Sequence, residues 1–136
     1  MHSKFYISGM STSLSITEAA KATGLSAYTL RYYEQIGLIA PVDRRGGARR
    51  YSDTDMRWLE FLVRLRATGM SMRDMQRYAQ LLRQGQVPDS LAERQTLLEE
   101  HARRVEADMR ALGETLQYIR KKIHLYQELR TTPKRA

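Results

Sequence analysis

From residue 90 onward the sequence repeats on a seven-residue period, and this run constrains the fold more than any other feature. Leu91, Leu98, Val105, Leu112, Ile119 and Tyr126 fall on one heptad position, and Ala102, Met109, Leu116 and Ile123 fall three residues before four of them, with Gln95 breaking that second row. No proline interrupts 90–130, so one continuous helix is expected there, with a coiled-coil stripe along it. Such a helix spans roughly 60 Å, too long to be covered by a head of about 80 residues, so a second copy of the chain must bury the stripe. Charge leaves the orientation open. An antiparallel pair centred near Gly113 sets Glu106 against Arg120 of the partner subunit, whereas a parallel pair sets Arg94 against Glu99. Gly113 itself costs about 1 kcal/mol inside a helix; it marks either a close crossing or a tolerated flaw on an exposed face.

The charge balance says what the remainder meets. The chain of 136 residues carries a formal charge of +8 and a pI near 10.0. Residues 1–86 hold thirteen Lys and Arg against seven Asp and Glu, while residues 87–136 hold ten against eight. The basic surplus therefore sits in the head, which favours a polyanionic partner. There is no cysteine, which excludes disulfides and thiolate metal sites. His2, His101 and His124 have no ligand spacing, so neither metal nor cofactor is expected. No nucleophile–base pair or phosphate-cradling glycine loop argues for an enzyme. No apolar run is long enough to span a membrane, and the opening MHSKFYISGMSTS has too short an apolar core for a secretory signal. A flexible tail over 1–13 and a cytoplasmic location are expected.

Helix starts in the head are well marked. Ser15-Ile16-Thr17-Glu18, Ser52-Asp53-Thr54-Asp55 and Ser71-Met72-Arg73-Asp74 fit the capping-box pattern, and Ser26 caps a fourth helix. Helices are predicted over 16–23, 27–35, 53–67 and 72–84. The tight turn Thr23-Gly24-Leu25 makes the first two a helix-turn-helix. In 38–51, the strand formers Leu38, Ile39 and Val42, the helix-blocking Pro41 and the turn Gly46-Gly47 predict a small two-stranded wing. Trp58, Leu59, Phe61, Leu62 and Leu65, with Met75, Tyr78, Leu81 and Leu82, supply apolar faces for it to pack on. The expected organisation is a mainly α, winged helix-turn-helix head over 14–84, a linker over 85–89, a dimerisation helix over 90–130 and a tail over 131–136.

Several head residues suit a duplex. Tyr28, Thr29, Arg31 and Tyr32 lie on the second helix, where a recognition helix presents side chains to base edges and phosphates. Duller readings exist: Tyr28 packs on its own head, Thr29 serves the backbone, Arg31 pairs with Glu34. Adjacent helical positions diverge by about 100°, so one of Tyr32 and Tyr33 faces the core; Tyr32 is assigned to DNA. Arg44, Arg45, Arg49 and Arg50 surround the glycine turn, where backbone and phosphate can approach closely. Tyr51 is expected to donate its hydroxyl to phosphate while its ring packs on Trp58. Ser71 and Arg73 begin the fourth helix, where unpaired amides attract an anion.

With these elements in place, the chain resembles the MerR family of bacterial transcription regulators from Ser15 to about Leu82. The resemblance is carried by Ile16-Thr17-Glu18-Ala19-Ala20, Thr23-Gly24-Leu25-Ser26, Thr29-Leu30-Arg31-Tyr32-Tyr33-Glu34, Gly37-Leu38-Ile39 with Pro41, Arg49 with Tyr51, Asp55, Leu65-Arg66 and Thr68-Gly69-Met70-Ser71. It implies a winged helix-turn-helix head, a second wing from helices three and four, and an antiparallel dimerisation helix. It also implies binding to an inverted repeat in a long promoter spacer, distorted so that RNA polymerase can use it. Two positions depart from the family pattern: Asp43 stands where an arginine is common, and Ala48 where an aromatic is. Arg44 and Arg45 are placed to substitute by a shift of position. The sequence identifies no small-molecule effector; a candidate pocket groups Tyr78, His101, Tyr118 and Tyr126. The competing function is an architectural, excisionase-like factor that bends DNA without an effector.

Overall fold

The computed structural model describes residues 13–132. Of the tails expected over 1–13 and 131–136, residues 1–12 and 133–136 lie outside the described residues. The element order is α1 (Ile16–Thr23), α2 (Ala27–Gln35), β1 (Asp43–Arg45), β2 (Ala48–Arg50), α3 (Asp53–Ala67), α4 (Met72–Arg83) and α5 (Pro88–Thr131).

Serine caps set the helix starts. Ser15 Oγ accepts from the Glu18 amide at 3.1 Å, and Glu18 Oε1 accepts from the Ser15 amide at 2.9 Å, closing the expected capping box. Ser52 and Asp55 close the same box on α3, while Ser26 and Ser71 each accept one amide, from Thr29 and Asp74. Gly24 ends α1 in the left-handed region, and α2 begins three residues later, which is the helix-turn-helix. α2 ends in a Schellman turn: the Leu38 amide donates to the Tyr33 carbonyl at 2.9 Å, and the amide of Gly37 donates to that of Glu34 at 3.2 Å. Gly37 takes φ 77° there, which a side chain would resist.

The wing differs from its expected form. Asp43, Arg44 and Arg45 pair antiparallel with Arg50, Arg49 and Ala48 around Gly46 and Gly47, at φ 58° and 83°. Positive φ at both turn residues is what a type I′ hairpin turn requires. Leu38, Ile39 and Val42, read as strand formers, lie outside the strands and are buried in irregular chain instead. Burial beneath the helices decides their role; the ladder is made by the charged residues that follow.

α1 packs on α2 and α3, and α3 packs on α4. Leu30, Tyr33, Leu38, Met56, Leu59, Leu62, Met75 and Leu81 form the buried centre. Trp58 stacks on Tyr78 with ring centroids 5.6 Å apart and planes 7° from parallel, rather than on Tyr51 as expected. Tyr51 is fully buried, held by paired backbone bonds of 2.8 Å to Leu14.

α4 stops at Arg83, one residue short of expectation, and α5 begins at Pro88, inside the linker expected at 85–89. Proline needs no amide partner and has a helical φ, so it suits the first position of a helix. The chain divides into two compact units, Met1–Leu97 and Leu98–Ala136. The first turns of α5 thus belong with the head. Ser90 Oγ donates to the Leu81 carbonyl at 2.6 Å, Arg94 Nη2 to the Gly85 carbonyl at 2.7 Å, and Arg77 grips Glu93 at 2.5 and 2.7 Å. In the second unit Val105 is half-buried, whereas Ala102, Met109, Leu112, Leu116, Ile119, Ile123 and Tyr126 are exposed; Leu112 is 70% exposed. Leu91 in the first unit is exposed, and Leu98, which opens the second, is half-buried.

Candidate nucleic-acid interface

Tyr28, Arg31 and Tyr32 stand at i, i+3 and i+4 of α2, which aligns them on one face of the helix. Tyr28 is 73% exposed and Tyr32 45%, while Tyr33 is 1% exposed with its hydroxyl accepting from Arg66 Nη1 at 2.5 Å. The tyrosine pair is therefore divided as expected, one to the core and one to solvent. Arg31 is exposed and makes no hydrogen bond or ion pair among the described residues. Its alternative partner, Glu34, is engaged elsewhere: Arg49 Nε donates to Glu34 Oε1 at 2.8 Å. Tyr28, Arg31, Tyr32, Glu34, Gln35, Pro41 and Arg49 line an open concavity of about 460 Å³ between α2 and the wing.

The wing arginines divide into two pairs. Arg44 and Arg45 are exposed, and Arg44 makes one bond, to the Gly47 carbonyl at 3.2 Å. Arg49 and Arg50 are half-buried. Arg50 donates to the Ser13 hydroxyl at 3.1 Å and to the Ser13 carbonyl at 2.7 Å, so it fastens the wing to the segment before α1. The sequence grouped all four as phosphate ligands; two of them already hold the wing in place. Thr29 is half-buried, and its hydroxyl accepts from Ser26 Oγ at 2.9 Å, leaving its own proton to donate.

Tyr51 is the one assigned residue in the core. Among the described residues its hydroxyl is buried without a hydrogen-bond partner, and burial pushes the phenol above its ordinary value of 10.0. A side chain at zero exposure offers no hydroxyl to a phosphate in this conformation. Ser71 and Arg73 are exposed at the start of α4, with Ser71 Oγ accepting from the Asp74 amide at 3.1 Å. Ser13 and Glu34 are the residues sequence reasoning did not place, because their partners lie 37 and 15 positions away.

A helix-turn-helix whose second helix bares an uncommitted arginine between two tyrosines, beside an arginine-rich hairpin, defines a winged helix-turn-helix protein. Residues 14–82 match the model of the MerR HTH family regulatory protein, and the chain belongs to that family. It is 38% identical over 112 residues to an uncharacterised HTH-type transcriptional regulator of Haemophilus influenzae, covering 82% of each chain. Among solved structures it is similar to HiNmlR, a MerR family regulator lacking the sensor domain, bound to promoter DNA. That similarity has a TM-score of 0.77 and 35% identity, over 88% of this chain and 94% of that one. A MerR family transcriptional regulator from Listeria monocytogenes, described as putative, matches with TM-score 0.76 and 35% identity, over 84% and 86% of the two chains. Among the described residues no helix is long and apolar enough to cross a membrane.

Proposed function

We propose that the chain is a homodimeric, sequence-specific transcription regulator that binds a palindromic promoter operator in the cytoplasm and distorts it. The observation that carries this reading is the exposed row of Tyr28, Arg31 and Tyr32 on one face of α2. Arg44 and Arg45 of the wing, and Ser71 and Arg73 of α4, supply exposed donors for phosphate. The similarity to HiNmlR, bound to promoter DNA, supports the same partner here.

The apolar row of α5 supports the dimer, and where single charge pairs leave the orientation open, the distribution of charge along the whole helix favours an antiparallel one. Residues 89–114 carry seven acidic side chains against four basic; from 115 to 131 the helix carries four basic against one acidic. Opposed directions bring the acidic end of one helix to the basic end of the other; like directions superpose equal charges. With Leu112 facing Leu116 of the partner subunit, Glu106 meets Arg120 and Asp108 meets Lys122 of the partner subunit. In the same register Ala102, a small residue, faces Tyr126, a large one, and Gly113 lies beside its own copy. The parallel alternative relies on Arg94, which is spent on the Gly85 carbonyl.

Genome-wide mapping of bound sites tests the regulator. Discrete inverted repeats between promoter elements are expected; dispersed sites without a repeat would favour an architectural factor instead.

A further inference from the structure

Three consecutive carbonyls after the recognition helix are each taken by a side chain from a distant helix. The Ile36 carbonyl accepts from Gln76 Nε2 at 3.2 Å, that of Gly37 accepts from Arg83 Nη2, and that of Leu38 accepts from Trp58 Nε1 at 3.0 Å. The last turn of α2 has no basic residue of its own, so Arg83 brings the cation that the negative end of the helix dipole favours. The Schellman turn uses the carbonyls of Tyr33 and Glu34, and those of Ile36, Gly37 and Leu38 are satisfied from outside α2.

The donors are not scattered. Gln76 and Arg83 belong to α4, and Trp58 of α3 is stacked flat against Tyr78 of α4. The same α4 begins with Ser71 and Arg73. α4 therefore carries one end of the candidate phosphate contacts and two of the three anchors of the reading helix, and it stacks against the third. Discrimination between base pairs demands that donors sit within roughly 0.5 Å of their targets, a tolerance that supporting hydrogen bonds enforce. Attraction to phosphate has no such demand.

From this geometry, and resting on the DNA-binding reading above, we infer that Gln76, Arg83 and Trp58 are positioning residues that set the angle of α2 against α4, and so govern discrimination between sequences rather than affinity for DNA in general. None of the three needs to touch the duplex.

The test uses the full chain and two probes: the duplex that the wild-type protein enriches from a randomised pool, and the unselected pool itself. Arg83→Ala is expected to weaken binding to the enriched duplex about tenfold, and binding to the pool by less than about twofold. Arg83→Lys, which keeps a charged donor, is expected to recover most of the loss. Gln76→Ala, which removes a neutral bond and no charge, is expected to lower the ratio about threefold and carries the test if Arg83→Ala fails to fold. Thermal unfolding by circular dichroism reports the folded fraction of each variant. Equal losses on both probes, or an unchanged ratio in folded variants, would overturn the inference while leaving the DNA-binding reading intact. A wild-type protein that enriches no sequence overturns both.

Discussion

Arg49 Nε lies 2.8 Å from Glu34 Oε1, joining the second strand of the wing to the recognition helix through a part-buried ion pair. Both side chains are largely shielded from water, so the pair fixes where the wing stands relative to α2. Glu34→Ala leaves Arg49 half-buried without its carboxylate. A loss of about 1–3 kcal/mol in stability is expected, with faster hydrogen exchange at the amides of 43–50. Unchanged exchange in the hairpin would mean that other contacts hold the wing.

Arg31 is the counterpart that the fold leaves unused. Arg31→Ala is expected to change stability by less than about 0.5 kcal/mol, as at any exposed position without a partner. Binding to an enriched duplex is expected to fall by about 1–3 kcal/mol, with preference relaxed at one base pair. A uniform loss across all sequences would assign Arg31 to phosphate instead.

Tyr51 yields a pH prediction. Burial holds its phenol above 10.0, so the folded chain resists ionisation while the unfolded chain ionises at the ordinary value. The stability is therefore complete below about pH 10 and declines as pH rises through the folded value. Tyr51→Phe removes a buried hydroxyl that has no partner among the described residues; it is expected to hold or gain up to about 1 kcal/mol, and to give a shallower alkaline limb. Tyr78, raised by burial as well, keeps part of that limb. Operator affinity is expected to stay unchanged in Tyr51→Phe, read by titration of the enriched duplex. A large loss would restore Tyr51 to the interface.

Charge reversal tests the direction of α5. Glu106→Lys and Arg120→Glu are each expected to weaken the dimer, and together to restore it, because an antiparallel pair sets each against the other. Spin labels on an Arg103→Cys variant, the only cysteine in the chain, give an independent distance. About 35 Å is expected for antiparallel helices, from the rise of about 1.5 Å per residue, and about 20 Å or less for parallel ones. Sedimentation equilibrium reads the first experiment and pulsed electron resonance the second.

What was legible in the sequence was local. Serine caps, the Gly24 turn and the Gly46-Gly47 hairpin act over three or four residues, and their elements stand where the spacing put them, α1, α2 and α3 to the residue. The exposed side of α2 followed from the same reasoning, since a helix must turn Tyr32 and Tyr33 apart. The roles of Arg49, Arg50 and Tyr51 were not legible. Each depends on a partner far along the chain (Glu34, Ser13 and Leu14), and an arginine that braces a wing has the same neighbours in sequence as one that grips phosphate. Leu38, Ile39 and Val42 misled for a related reason: aliphatic side chains suit a strand or a buried turn equally, and only packing chooses.

One measurement bears most directly on the central claim, that two heads joined through α5 read one duplex. The full chain is used to enrich a duplex from a randomised pool, and the mass of the resulting complex is determined by native mass spectrometry alongside the enriched sequence. The account predicts two chains on one duplex and an inverted repeat with separated half-sites. A single chain per duplex on an asymmetric sequence, or no enrichment at low salt, would contradict it.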